Sequence, residues 1–168
     1  MSEEVAMSSV DTKKLEEKIG EAIGLEMAAQ KAVEELSSRG LIPNQGLVKL
    51  QGMRKEANNH QTQMEDLVRK LSQSDGLDSA KIQEMAQETE QKASKIMETY
   101  LGEDPDSQEA LEFLCLAEGG EVTHYEVLSV MAKGAKYKQL SGKIRSILNQ
   151  EKKHLLICTQ LAKKNALL

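Results

Sequence analysis

The sequence predicts an all-α protein, a four-helix bundle made of two antiparallel hairpins joined by a helical crossover. Three observations carry the prediction. Hydrophobic residues make up 39% of the chain and charged residues 29%, against 2% aromatics and two prolines, a balance that favours helices over a sheet-rich fold or disorder. Apolar residues recur at three- and four-residue steps through five segments. Glycine, proline and short polar clusters fall between those segments. At 168 residues the chain fits one domain with a sizeable core.

Residues 1–10 have no periodic pattern and read as a disordered N-terminal tail, leaving 11–168 as the single domain. Asp11 is a good N-cap for a first helix reaching about Ser38, with Ile19, Ile23, Glu26, Val33 and Leu36 near one face. SSRGLIPNQG then forces a turn. The second helix, about Gln45 to Gln73, places Met53, Glu56, His60, Met64, Leu67 and Leu71 at heptad-like steps and completes a hairpin over 11–73. SQSDGLDS breaks it. A third amphipathic helix, 79–101, carries Ile82, Met85, Ala86, Thr89, Ala93, Ile96 and Tyr100. At 1.5 Å per residue it is about 33 Å long, nearly the roughly 38 Å of a 25-residue helix, so it can carry the chain from one end of a bundle to the other. Its apolar positions suggest packing on the bundle or on a second subunit.

GEDPDS supplies the next N-cap. The hairpin 107–165 follows, with Leu111, Leu114, Glu118, Glu121, Tyr125, Leu128 and Ala132 on its first helix and Leu140, Ile144, Ile147, Glu151, His154, Cys158 and Leu161 on its second. Gly119 and Gly120 are tolerated at some cost. The eight methionines read as flexible core filler, and Glu126 as solvated.

Acids inside apolar stripes are the anomaly. Glu56 follows Glu26 by 30 residues, and Glu151 follows Glu121 by 30. Residues equidistant from a hairpin turn face each other, so each hairpin sets two carboxylates at one level and the packed pair sets four. His154 lies three residues after Glu151 and His60 four after Glu56, each on its glutamate's face. Buried carboxylates repel and cost several kcal/mol per unpaired ion, a conflict that divalent metals shared by carboxylate and imidazole resolve.

GGEVTHYEVL followed by ILNQEKKHL, and IGLEMAAQKAV followed by RKEANNHQTQMEDL, resemble the ferritin-like di-metal carboxylate superfamily, and within it the YciF-type stress-associated bundle proteins. The resemblance covers both hairpins. It implies a ferritin-like fold with two divalent metal ions, iron or else manganese, held by Glu26, Glu56, His60, Glu121, Glu151 and His154. Glu56 and Glu151 would bridge, Glu26 and Glu121 would be terminal, and each His would cap one metal. The chemistry implied is reaction with oxygen or peroxide in stress protection, with electrons from an external donor. The alternative is a non-catalytic dimeric helical stress-response or interaction protein with a partly degraded site. A ferritin storage shell is disfavoured, since the tail and crossover helix would have to fit the cage. His124, three residues after Glu121, reads as an added ligand, a partner of one, or a surface residue.

A net charge of −5 with almost no aromatic residues to stack on bases speaks against nucleic acid as partner. No apolar run approaches the roughly 20 residues of a membrane span, and the N-terminus lacks a signal-peptide core. The expectation is a cytoplasmic homodimer that engages no membrane. Cys115 and Cys158 read as two buried thiols, a disulfide between them being disfavoured in reducing cytoplasm.

Overall fold

Three aspartates start three of the helices. Asp11 accepts a hydrogen bond from the Lys13 backbone N–H at 2.9 Å, Asp78 from Lys81 at 3.0 Å and Asp106 from Glu109 at 2.9 Å. The computed structural model describes residues 11–135 and 137–168, and the tail expected over residues 1–10 lies outside the described residues. Those described form five helices: α1 (Thr12–Ser38), α2 (Asn44–Asp75), α3 (Ser79–Leu101), α4 (Ser107–Gly134) and α5 (Lys138–Ala166). Gly76 ends α2 in the left-handed region at φ 73°, a conformation cheap only for glycine. None of the helices described is long and apolar enough to cross a membrane.

The core has two apolar layers. Leu15, Ile19 and Ile23 of α1, Met64 and Leu71 of α2, Ile82 of α3, Leu128 of α4 and Ile144 of α5 belong to the first. Val33 and Leu36, Leu50 and Met53, Met97 and Leu101, Leu111 and Leu114, and Cys158 and Leu161 belong to the second. Each helix therefore starts in one layer and ends in the other. Where it passes between them it carries a buried acid or imidazole: Glu26, His60, Glu90, Glu118 with Glu121, and Glu151 with His154. The polar level is thus closed above and below by hydrocarbon.

α3 is part of the body of the protein, and α1 packs more extensively along it than against α2. Gly20 and Gly24 permit this. A Cβ on Gly20 would lie 2.7 Å from the Ile82 carbonyl oxygen, and one on Gly24 would strike the Ala86 carbonyl and sit 2.7 Å from the Thr89 Cβ. Glu16, buried beside them, accepts the Asp78 backbone N–H at 2.6 Å and places its charge at the α3 N-terminus. The approach rotates the second half of α3 so that Glu90, Met97 and Leu101 are buried, while Ile96 and Tyr100, expected on its apolar stripe, stand exposed.

Gly24→Ala should therefore destabilise. Backbone cannot yield as a side chain can, so overpacking of about 1–3 kcal/mol outweighs the roughly 1 kcal/mol that alanine gains in helix propensity. At Gly52 a Cβ meets nothing within 4 Å, and Gly52→Ala should stabilise by about 0.5–1 kcal/mol. Urea midpoints of the two variants moving in the same direction would refute this account of the α1–α3 contact.

Candidate metal centre

Helical spacing builds the polar level. Ile144, Ile147, Glu151, His154, Cys158 and Leu161 share one buried face of α5, so the fold holds Glu151 and His154 inward as firmly as the leucines beside them. Two groups of possible ligands result. Glu26, His60 and Glu151 form one triad; Glu118, Glu151 and His154 form the other. In the first, His60 Nδ1 lies 2.9 Å from both Glu26 Oε2 and Glu151 Oε1. In the second, His154 Nδ1 lies 3.6 Å from Glu151 Oε2 and 4.0 Å from Glu118 Oε2. Glu151 offers one oxygen to each triad. The two imidazole rings flank it, their centroids 6.0 Å apart and their planes 25° from parallel.

The outward ring nitrogens also meet oxygen: His60 Nε2 contacts the Gln150 side chain and His154 Nε2 contacts Glu56. Burial alone would push the His60 imidazole down, but its hydrogen bonds to Glu151 and Glu26 hold it up at about 10. Burial likewise opposes the charge on His154, and Glu151 and Glu56 raise it. Burial would raise Glu151 too, yet His154 and His60 beside it, with Glu121 and Glu118 as further partners, hold it well below the usual carboxylate range. Burial and then the Glu151 charge raise Glu26 and Glu118. Burial, Glu118 and Glu151 raise Glu121. In the metal-free protein Glu151 is thus the charged hub of the level, while Glu26, Glu118 and Glu121 hold their protons to higher pH than an ordinary carboxyl.

The level is under-satisfied. Among the described residues Glu26 Oε1, Glu118 Oε2, Glu121 Oε2 and Glu151 Oε2 are buried and make no hydrogen bond, and the Tyr125 hydroxyl is buried without a partner. Each such atom costs about 1–3 kcal/mol. The ligand atoms within a triad lie within 4.8 Å of one another, close to the roughly 4 Å spanned by opposite ligands each about 2 Å from one cation. Unpartnered carboxylate oxygens beside imidazole nitrogens suit a divalent cation, so either triad could hold a metal ion.

Glu26, His60, Glu151 and His154 fall in the triads, whereas Glu121 is buried near them but belongs to neither. Glu56 does not join them. The buried stripe of α2 runs Met53, Ala57, His60, Met64, and Glu56 precedes Ala57 by one residue, a turn of about 100° that leaves its side chain 49% exposed. Across the α1–α2 contact it is His60 that meets Glu26. Glu118 takes a place in the second triad that periodicity alone did not reveal as a ligand position. The signal was available: in a hairpin turning near residue 136, the symmetry that opposes Glu121 to Glu151 also opposes Glu118 to His154. Tyr125 was legible only as a core residue.

His124 lies elsewhere. Its Nε2–H donates to the Lys18 carbonyl at 3.1 Å, tying α4 to α1. Glu126 is an exposed partner of Lys152 at 3.5 Å. Cys158 is buried and Cys115 half-buried, both as free thiols, and burial pushes the Cys158 thiol up. No protein-family model matches the chain, and neither does a curated protein or a solved structure.

Proposed function

We propose that the chain is a ferritin-like four-helix bundle, with hairpins α1–α2 and α4–α5 and α3 as crossover, whose two triads hold a pair of divalent metal ions, iron or manganese. The observation that carries this reading is Glu151, buried between two imidazoles with one oxygen in each triad. Glu26 with His60 would hold one ion, Glu118 with His154 the other, and Glu121 lies beside both. Bound there, the ions would supply Lewis acidity and electrons for reaction with oxygen or peroxide, and the use of that chemistry is stress protection in the cytoplasm. The electrons would be replenished by an external donor, and the working form would be a homodimer.

The chain's own groups prepare the site. His60 gives up a proton, and with it the hydrogen bonds to Glu26 and Glu151, before its Nδ1 lone pair is free. The hydrocarbon layers above and below the level lower the local dielectric and strengthen the charge interactions between them. The Tyr125 hydroxyl is buried without a partner, and burial together with the charges of Glu26, Glu121 and Glu151 holds its proton on.

Purified protein loaded anaerobically with Fe(II) should retain about two equivalents by elemental analysis, as expected for a two-metal site. Less than about a tenth of an equivalent would sink the proposal, since a preformed buried site that fails to bind is not a site. A second reading, a non-catalytic helical stress-response or interaction module with a degraded centre, draws on the exposed position of Glu56. Loaded protein that leaves peroxide loss unchanged would favour it.

A further inference from the structure

A cavity of about 460 Å³ lies between α1, α3 and α4, with α2 closing one side, and it ends on the polar level. Its walls are mostly apolar, with small residues such as Ala28, Ala29 and Ala93 set among larger ones such as Met53, Met97 and Phe113. The inner end is formed by Glu118 and Glu121. Each of these is more than nine-tenths buried, so only a small part of its surface borders this space, and its unpartnered Oε2 is sealed from it inside the polar level. The outer end is flanked by Ile96, 58% exposed, and Leu116, 54% exposed. The same approach of α3 to α1 that exposes Ile96 thus gives an apolar opening to a space that reaches two acids of the candidate centre.

The size lies within the range of about 300–1,000 Å³ typical of ligand pockets. At roughly 30 Å³ for a water-sized group, it has room for about fifteen non-hydrogen atoms. The charges at the opening say what kind of molecule fits. Lys31 is paired with Glu90 at 2.6 Å and Arg54 with Glu34 at 2.5 Å, so an incoming anionic head group finds both nearby cations already neutralised. The inner end presents carboxyl groups, which reject an anion and accept a hydroxyl.

We propose that this cavity is a binding chamber for a neutral, largely hydrocarbon molecule of medium length, entering past Ile96 and Leu116 and placing one end, bare or carrying a hydroxyl, against Glu118 and Glu121. That the inner end faces metal ions rests on the proposed function of the two triads; the existence of the chamber does not. The chamber makes the centre a place where an apolar molecule meets the metal ions, and makes α3 the wall that selects it.

The probe is 1-dodecanol, titrated calorimetrically into metal-free and cobalt(II)-loaded protein, with dodecanoate in parallel. Saturable binding of one dodecanol per chain is expected in both forms, with dodecanoate at least tenfold weaker. Ala29→Leu and Ala93→Leu, at half-buried wall positions whose added atoms would fill the open space, should each weaken dodecanol at least tenfold while the thermal melt and cobalt content stay unchanged. Dodecanol should also shift the visible bands of bound cobalt. Absence of saturable binding, or binding by both leucine variants as tight as that of the unsubstituted protein, would overturn the chamber. Unshifted cobalt bands on binding would overturn its contact with the centre, and dodecanoate binding as tightly as the alcohol would overturn the neutral ligand. Failure to take up cobalt would sink the metal reading alone, leaving dodecanol binding to decide the chamber. Loss of dodecanol binding together with a dimer that Leu116→Asp converts to monomer would assign the apolar mouth to a second copy and overturn the proposal.

Discussion

Glu151→Gln should reduce bound metal from about two equivalents to under a tenth, whereas Glu56→Gln should keep both ions at saturating metal with affinity weakened roughly tenfold, as for groups that act through a ligand. The two substitutions remove the same charge from the same kind of helix, three residues before one imidazole or four before the other. Their difference is position. Glu151 is buried with an oxygen in each triad, so amidation removes an anion from both sites at once and takes away the partner that holds both imidazoles charged. Glu56 reaches only the outer nitrogen of His154, from a side chain about half in water. Breaking a buried charge pair by removing one partner costs about 3–5 kcal/mol, an upper bound here because both imidazoles can release their protons. Melting Glu151→Gln near pH 8 therefore checks that lost metal is not lost fold. Equal loss of metal in both variants would restore Glu56 to the bridging position expected from the 30-residue repeat and would sink the arrangement of two triads around Glu151.

Much of the fold was legible because its signals are local. The third helix runs 79–101 both by pattern and in the structure, since Asp78 supplies the cap oxygen and Gly102 ends it at φ 68°. The second helix extends two residues beyond Gln73 because Ser74 and Asp75 continue the ladder until Gly76 takes the left-handed conformation. What periodicity did not convey is rotation. A spacing of 30 residues places Glu26 and Glu56 at one height on their helices, but not at one azimuth, and the choice between Glu56 and His60 depends on which face of α2 the body of the protein covers. The choice of neighbour was also hidden. Gly20 and Gly24 carry no hydrophobic weight, so a search for apolar stripes passes over the pair that brings α3 onto α1. Glu118 was visible on its stripe, yet its role follows only when the mirror relation about the last turn is applied to His154 as well as to Glu151.

The metal-free protein should lose stability as pH rises from 5 to 9, and bound metal should reverse the trend. Glu26, Glu118 and Glu121 titrate above their unfolded values near 4.3, so above that pH the folded chain holds protons that the unfolded chain has released. Stability falls wherever the folded state binds more protons. His60 acts in the same direction: its contribution is fully present below about 6.5 and is lost as pH rises through about 10, and His154 follows the same sign. Glu151 is the exception, with a contribution present above its unfolded value and lost only in strong acid, so it is constant across this window. Each proton retained by the folded state lowers stability by roughly 1 kcal/mol per pH unit within its own window. Metal competes with those same protons, so its affinity rises with pH and the loaded protein gains where the metal-free protein loses. Melting temperatures measured from pH 5 to 9 with and without Fe(II) should therefore diverge steadily. Surface repulsion, expected from the net charge of −5, would also lower stability at high pH, but it is screened at 1 M salt, where the Debye length is about 3 Å. The decline that survives high salt belongs to the buried level, and Glu118→Gln, which removes one of its protons, should flatten it. A metal-free melting temperature that stays level or rises from pH 5 to 8 in 1 M salt would show that these carboxyl groups are already ionised, and that something other than protons balances their charge.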